Sequence, residues 1–384
     1  MKKILATILA LVMALGLTAT VWAADVSGST STKAAKIGGT EYDTLQAAIN
    51  AASDGGNTVV LLKDLTESIT IDNNKNVTID LNGHKLTNTD GQHTITNNGT
   101  LTITATNGGT VDNVTHQRAA IVNNGTATLN GGTYTRSKEN ADNNKEDAKG
   151  NSFYTILSDN GATMTINEGV TVTNVGHFSS MIRNGGTSAS TSTMIINGGT
   201  FNGGLNAIKN DEAGVLTING GDFSNTSQFV VMNWHKTTIN GGSFKAQPSA
   251  EAVLFTAKYA ENTAVGELTI INGTFERSSD TQKMIRDYYD EDNKGTAAIS
   301  GGAFKDATGK AVDVSAYLVA GKQQNSDGSV GNKSYYYYPS TSDTTTSTTT
   351  KGSPKTFDAG IAVYVGMALT SAAGVAFVGK KRED

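Results

Sequence analysis

The chain has 384 residues, 30 Lys and Arg against 35 Asp and Glu for a net charge of −5, and no cysteine. The acid excess argues against nucleic acid, whose binding rests on clustered Lys and Arg. The lack of thiols excludes disulfide staples, a thiol nucleophile, thiolate metal sites and iron–sulfur clusters, so an exported chain of this kind needs a real core or a repeat stack.

The head reads Met1-Lys2-Lys3, then an apolar run over 4–17, then Val21-Trp22-Ala23 before Ala24. A positive start, an apolar core and small side chains at −3 and −1 make residues 1–23 a secretory signal cut between Ala23 and Ala24. The run is short for a permanent anchor helix, which is the other reading. A disordered leader is expected over 24–35 and an N-terminal capping region over 36–58. In the latter, Leu45, Ala48, Ile49 and Ala52 recur at helical spacing. Asp43 is the expected N-cap and Gln46 its capping-box partner, with Asp54-Gly55-Gly56 ending the helix. Such a helix would cover the open end of the first coil and its unpaired strand edges.

From residue 59 the chain repeats itself. Ala127-Thr128-Leu129-Asn130-Gly131-Gly132-Thr133-Tyr134 recurs as Met194-Ile195-Ile196-Asn197-Gly198-Gly199-Thr200-Phe201 and Leu216-Thr217-Ile218-Asn219-Gly220-Gly221-Asp222-Phe223. Further copies end at Phe244, Phe275 and Phe304, and Met164-Thr165-Ile166-Asn167-Glu168-Gly169 is a degenerate one. Alternation of apolar and polar residues before each Asn-Gly-Gly predicts a strand. Asn and Gly then supply a turn, because both tolerate positive φ. A unit of about 22 residues with two or three short strands is one coil of a parallel β-helix, with coils about 4.8 Å apart. The repeat over 59–318 predicts an all-β solenoid of about ten coils. In it, Ile166, Ile196, Ile218, Ile239, Ile271 and Ile299 form one inward stripe, and the turn asparagines bond along the axis.

Candidate chemistry is sparse. Asp287-Tyr288-Tyr289-Asp290-Glu291-Asp292-Asn293 is the one dense acidic run, and Asp287, Asp290 and Asp292 offer oxygen ligands for calcium without the spacing of an EF-hand. A solvated loop is the alternative, and no resident cofactor is expected. The histidines at 84, 93, 116, 177 and 235 form no short metal pair. Trp234-His235 could stack a sugar ring or fill an irregular coil. Residues 140–150, charged and without an apolar side chain larger than alanine, read as an exposed insertion. No paired carboxylates for glycoside hydrolysis stand out, so no catalytic residue is assigned.

Past about 320 the repeat fades. Residues 319–352 are rich in Ser, Thr, Asn and Gly and are expected to be an extended linker. Ser353-Pro354-Lys355-Thr356-Phe357-Asp358 follows, then an uncharged apolar run over 359–379, long enough to span a bilayer as a helix, and a basic tail over 380–384.

This three-part tail resembles the cell-wall sorting signal of Gram-positive bacteria, with Ser353, Pro354, Lys355 and Thr356 matching a Ser-Pro-x-Thr variant. The resemblance implies a sortase that attacks the Thr356 carbonyl and joins it to peptidoglycan. Phe357 stands where the family has glycine. The alternative is a plain anchor, with 359–379 retained in membrane lipid and the basic tail cytoplasmic. Residues 36–310, down to Asp80-Leu81-Asn82-Gly83-His84, also resemble pectate-lyase-like right-handed β-helix domains of bacterial surface proteins. That resemblance implies a right-handed solenoid; lyases of this fold use clustered acids for calcium and a basic residue to take a proton. Without residues 1–23 and 357–384, the chain keeps 25 basic and 32 acidic side chains, net −7. Together these readings predict a protein on the outer face of a Gram-positive bacterium that binds a surface glycan or host protein without catalysis. An anchored polysaccharide lyase or hydrolase and a passive surface-layer component are the alternatives.

Overall fold

In the computed structural model, the described residues are 32–53, 57–115, 117–138, 154–174, 176, 179–186, 190–260 and 263–334. The signal (1–23, with Ala23 and Ala24), the insertion at 140–150, His116, His177, the sorting residues Ser353 to Phe357 and the apolar run over 359–379 lie outside them. No helix among the described residues is long and apolar enough to cross a membrane. The chain divides into two compact units, Met1–Lys333 and Ser334–Asp384; the first holds the fold described below.

Its strands stack into three parallel sheets, the repeated architecture of a β-solenoid. Successive strands visit the sheets in rotation: Asn76–Asp80 lies in face 1, Lys85–Thr87 in face 2 and Ile95–Asn97 in face 3 before Thr100–Thr104 returns to face 1. Ten parallel rungs of face 1, from Thr58–Leu61 to Thr296–Ile299, are among the described residues. At the usual spacing between hydrogen-bonded strands, ten rungs span roughly 45 Å.

The core is a pile of like on like. On face 1, Ile166, Ile196, Ile218, Ile239, Ile270 and Ile299 stand in register and are fully buried. The inward residue of the fifth of these units is therefore Ile270; Ile271, which the sequence repeat placed in the stripe, is 48% exposed. Register explains the difference. Ile270 pairs with Ile239, so Ile271 takes the corner position held by Asn240 in the rung before and Ser300 in the rung after. On face 2, Phe201, Phe223, Phe244, Phe275 and Phe304 form a column of stacked, nearly parallel rings with centroids 4.5–4.9 Å apart. The glycine before each aromatic has positive φ, for example 114° at Gly221 and 110° at Gly242. A side chain there would be strained, which is why the corner requires Gly.

Asparagine ladders run along the stack, and two of them differ sharply in burial. The corner ladder links Asn130, Asn167, Asn197, Asn219 and Asn240, each Nδ2 donating to the Oδ1 of the rung before at 2.6–2.8 Å. It lies at the surface. A second ladder, on face 3, is buried: Asn184 Nδ2 donates to Asn210 Oδ1 (2.8 Å), Asn210 to Asn233 (2.9 Å) and Asn233 to Thr256 Oγ1 (3.0 Å). Each of these Nδ2 groups also donates to a backbone carbonyl at or just before the next face-1 strand, at Val215, Lys236 and Glu267. The second ladder thus ties the third sheet to the first with groups that would otherwise be buried and unpaired.

The N-terminal end is closed as expected, with different capping residues. The helix Leu45–Ala51 buries Leu45, Ala48 and Ile49 against the first coil. Its N-cap is Thr44, whose Oγ1 accepts from Ala47 N (3.0 Å), and not Asp43, which pairs with Lys33 at 2.6 Å. Glu67, from the first coil, accepts from Leu45 N and Gln46 N at 2.8 Å each, satisfying first-turn donors and placing negative charge at the helix N-terminus. Gln46 makes no capping box. Its side chain accepts from Thr70 N (2.8 Å) and donates to Thr70 O (3.0 Å), supplying the hydrogen bonds that a further strand would give to the exposed edge. Ala34 and Ala35 are buried, so packing already begins within the expected leader.

At the other end, residues 319–333, assigned by sequence to the linker, fold back on the last coil. Val319 N donates to Ile299 O (3.0 Å), Val330 N to Gly302 O (2.8 Å), and Lys322–Gln324 pairs antiparallel with Val330–Asn332. Low hydropathy concealed this hairpin because its task is to satisfy backbone groups, which needs no apolar side chain.

His93 Nδ1 accepts from Ala119 N at 2.9 Å. Burial, then the positive charges of Arg118 and Arg136, hold its pKa below the usual value of 6.5. Its neutral form is the folded form. Stability is complete above about pH 6.5 and falls as the pH drops from there toward the lowered folded-state value, because the unfolded chain takes up the proton first. Urea midpoints measured at pH 7.5 and pH 5.5 should show this loss, and His93→Gln should reduce it.

Candidate ligand-binding flank

The outward positions of face 3 carry a band of large and charged side chains, buried at Met232 and Phe255. In register over consecutive rungs stand Arg183, Lys209, Met232, Phe255 and Arg286. Five rungs extend about 19 Å. Phe229, Met232, Trp234, Ala252, Phe255 and Ala257 form an apolar cluster separate from the axial core.

At the centre of the aromatic part is Trp234, 4% exposed. Its ring meets Phe255 (4.8 Å, 67°), Tyr259 (5.3 Å, 88°) and Tyr289 (5.5 Å, 68°) edge to face, the arrangement that ring quadrupoles favour. Its Nε1 has no hydrogen-bond partner among the described residues. Tyr259 and Tyr289 are 49% and 56% exposed, so they and not the tryptophan present aromatic surface to solvent. The neighbouring His235 is half-buried with Nδ1 at 3.1 Å from Gly214 O, a structural contact.

Both tyrosines ride on insertions at the same corner. The corner after Asn233 is two residues long, Trp234 and His235, whereas the next two rungs insert residues 257–266 and 287–295 before returning to face 1. The second insertion is a tight hairpin: Tyr289 N donates to Asn293 O (3.0 Å) and Gly295 N to Asp287 O (2.8 Å). Asp290 builds its turn, accepting from Asp292 N (3.1 Å), Asn293 N (2.9 Å) and Asn293 Nδ2 (2.8 Å). The Asn293 side chain, with the Asn293 and Asp292 amides and against desolvation, holds the Asp290 carboxyl below its usual pKa. A Cβ on Gly295 would lie 2.6 Å from the Thr256 carbonyl, so the loop can return over the previous rung only with Gly there. The acidic run singled out for calcium thus forms a turn that presents Tyr289. Asp287, Asp290 and Asp292 do not converge, and no group of three His, Asp or Glu able to hold a metal occurs among the described residues.

Lys283 Nζ donates to Tyr288 OH (2.8 Å) and holds that phenol below its usual pKa, and the Arg286 guanidinium lies 5.2 Å from the same ring. Arg286 is paired with Glu251.

The other half of the band is charged. Arg183 Nε donates to Asp211 Oδ2 (2.9 Å), its Nη1 lies 3.8 Å from Asp159 Oδ2, and Lys209 Nζ lies 3.1 Å from the same Asp211 oxygen. The Tyr154 ring lies 5.7 Å from the Arg183 guanidinium. Burial and then the Asp211 charge raise the pKa of Glu212. None of these groups was singled out by sequence. Arg183 and Asp159 are 24 positions apart, and only the rung register brings them together.

No family model, curated protein or solved structure matches this chain.

Proposed function

We propose that this is an exported, surface-held binding protein of a Gram-positive bacterium, acting in adhesion to a glycan or host protein without catalysis. The solenoid is right-handed in this reading, since a strand that crosses over into a parallel neighbour of the same sheet almost always turns that way. Residues 1–23 direct export. Sortase transfer of Thr356 to peptidoglycan, or retention of 359–379 in membrane lipid, then holds the chain at the surface. The observation that carries the binding reading is the pair of exposed tyrosines, Tyr259 and Tyr289, braced against a buried Trp234. A large exposed aromatic surface on a rigid support is the ordinary composition of a recognition site.

Cells producing the full chain should adhere to a glycoprotein-coated surface, and cells producing a Tyr259→Ala, Tyr289→Ala double variant at equal surface level should adhere several-fold less. Equal adherence sinks the reading. Mass spectrometry of wall-digested protein separates the two anchors: a C-terminus at Thr356 joined to wall peptide, or an intact tail ending at Asp384.

A second reading, a polysaccharide lyase or hydrolase, is favoured by Asp159, Arg183, Lys209, Asp211 and Glu212 on the same flank. Release of reducing ends or of unsaturated sugars from polysaccharide, abolished by Asp211→Asn, would establish it over the first.

A further inference from the structure

We infer that the face-3 flank takes a neutral, linear glycan whose sugar rings lie along the solenoid axis and stack on Tyr259 and Tyr289. The inference rests on the binding reading above and names its ligand class. Three observations lead to it. The exposed rings come from insertions at equivalent corners of consecutive rungs and pack against one Trp234 ring, so they offer two neighbouring aromatic surfaces to a ligand with repeated rings. Ring faces with a polar tip suit the apolar face and hydroxyl rim of a flat sugar. Trp234, against which both rings pack, keeps a buried Nε1–H with no acceptor among the described residues, a donor at this site whose hydrogen bond these residues do not supply.

Charge decides against a polyanion. The cations of the band already have carboxylate partners: Arg183 with Asp211 and Asp159, Lys209 with Asp211, and Arg286 with Glu251. A uronate or phosphate polymer would have to break these pairs on a chain that carries an acid excess. A neutral glycan takes hydrogen bonds from the paired groups without separating them. Flat rings are required for stacking, which points to β1→4-linked glucose or N-acetylglucosamine.

Trp22 is the only other tryptophan, so the full chain carrying Trp22→Phe reports through Trp234 alone. Titration with cellohexaose, chitohexaose and oligogalacturonate tests the inference. The expected result is a saturable shift of Trp234 emission with at least one neutral hexamer and none with oligogalacturonate. Tyr259→Ala and Tyr289→Ala should each weaken binding about tenfold, the equivalent of one lost ring contact, while Tyr→Phe at the same positions retains it; thermal melts of all variants establish that they are folded. Binding of oligogalacturonate alone, binding of none of the three, or unchanged affinity in folded alanine variants overturns the inference. Failure here with tyrosine-dependent adherence intact would retire the neutral glycan and leave the surface-binding reading standing. Binding of a neutral hexamer by a chain that never reaches the surface would do the reverse.

Discussion

Ile218→Asp should disrupt the stack around its rung and lower the melting temperature of the full chain by on the order of 10 °C. Ile218 is fully buried between Ile196 and Ile239. Its loss removes about 1.5–3 kcal/mol of apolar burial, and the carboxylate adds several kcal/mol for an unpaired buried charge. For a domain of this size each kcal/mol moves the melting point by about 2–4 °C. Each coil buries its apolar face only against its neighbours, so the damage spreads along the axis. Ile271→Asp is the matching control, because that side chain is 48% exposed at a corner, and an exposed substitution of this kind stays within about 0.5 kcal/mol. Circular-dichroism melts of the two variants decide the point; equal melting temperatures would refute the register described here.

Asn210→Ala should cost about 2–4 kcal/mol, although the side chain contributes almost nothing to hydrophobic burial. Asn210 Nδ2 lies 2.9 Å from Gly214 O, 2.9 Å from Asn233 Oδ1 and 3.0 Å from Lys236 O, and its Oδ1 accepts from Asn184 Nδ2 at 2.8 Å. Alanine leaves these partners without their bond in a site closed to solvent, at about 1–3 kcal/mol for each group left unsatisfied. Asn219→Ala, in the exposed corner ladder, should cost under about 1 kcal/mol, because water replaces the lost amide. Chemical denaturation of both variants tests the contrast. Equal losses would mean that solvent reaches the face-3 ladder or that the corner ladder is more important than its exposure suggests.

The contrast between these ladders shows which patterns can be read from a sequence. Asn-Gly-Gly is legible because the positive φ of the corner is a local demand that glycine meets without strain, so the corner ladder follows from the repeat. The buried ladder also left a trace, in Ile182-Arg183-Asn184, Ile208-Lys209-Asn210 and Val231-Met232-Asn233. An inward apolar residue two positions before an inward asparagine looks like ordinary strand alternation until the third sheet is seen to need polar anchoring to the first. Ile271 was misplaced for a related reason. Two isoleucines in succession, Ile270 and Ile271, fit either parity, and only pairing with Ile239 selects one.

The flank was less legible than the core. Trp234 is legible in the sequence as a ring able to stack a sugar or fill an irregular coil, and its burial makes it a support for Tyr259 and Tyr289. Their importance comes from insertion length at one corner, a signal visible only once the rungs are aligned. The charged group of Asp159, Arg183, Lys209 and Asp211 had no local signature at all.

By itself the sequence determined the repeat, the inward rows of isoleucine and phenylalanine, the glycine corners and the helix over the first coil, because period-two burial, positive φ and helical spacing are local demands that each unit must meet alone. The tertiary structure decided register, the pairing of Gln46 with the open edge, the hairpin on the last coil and the side chains that gather on face 3. Those depend on which residue lies one rung away, a distance of about 4.8 Å in space that is 20 residues along the chain from Thr58 to Thr78 and 38 from Gly132 to Val170, set by the loop between.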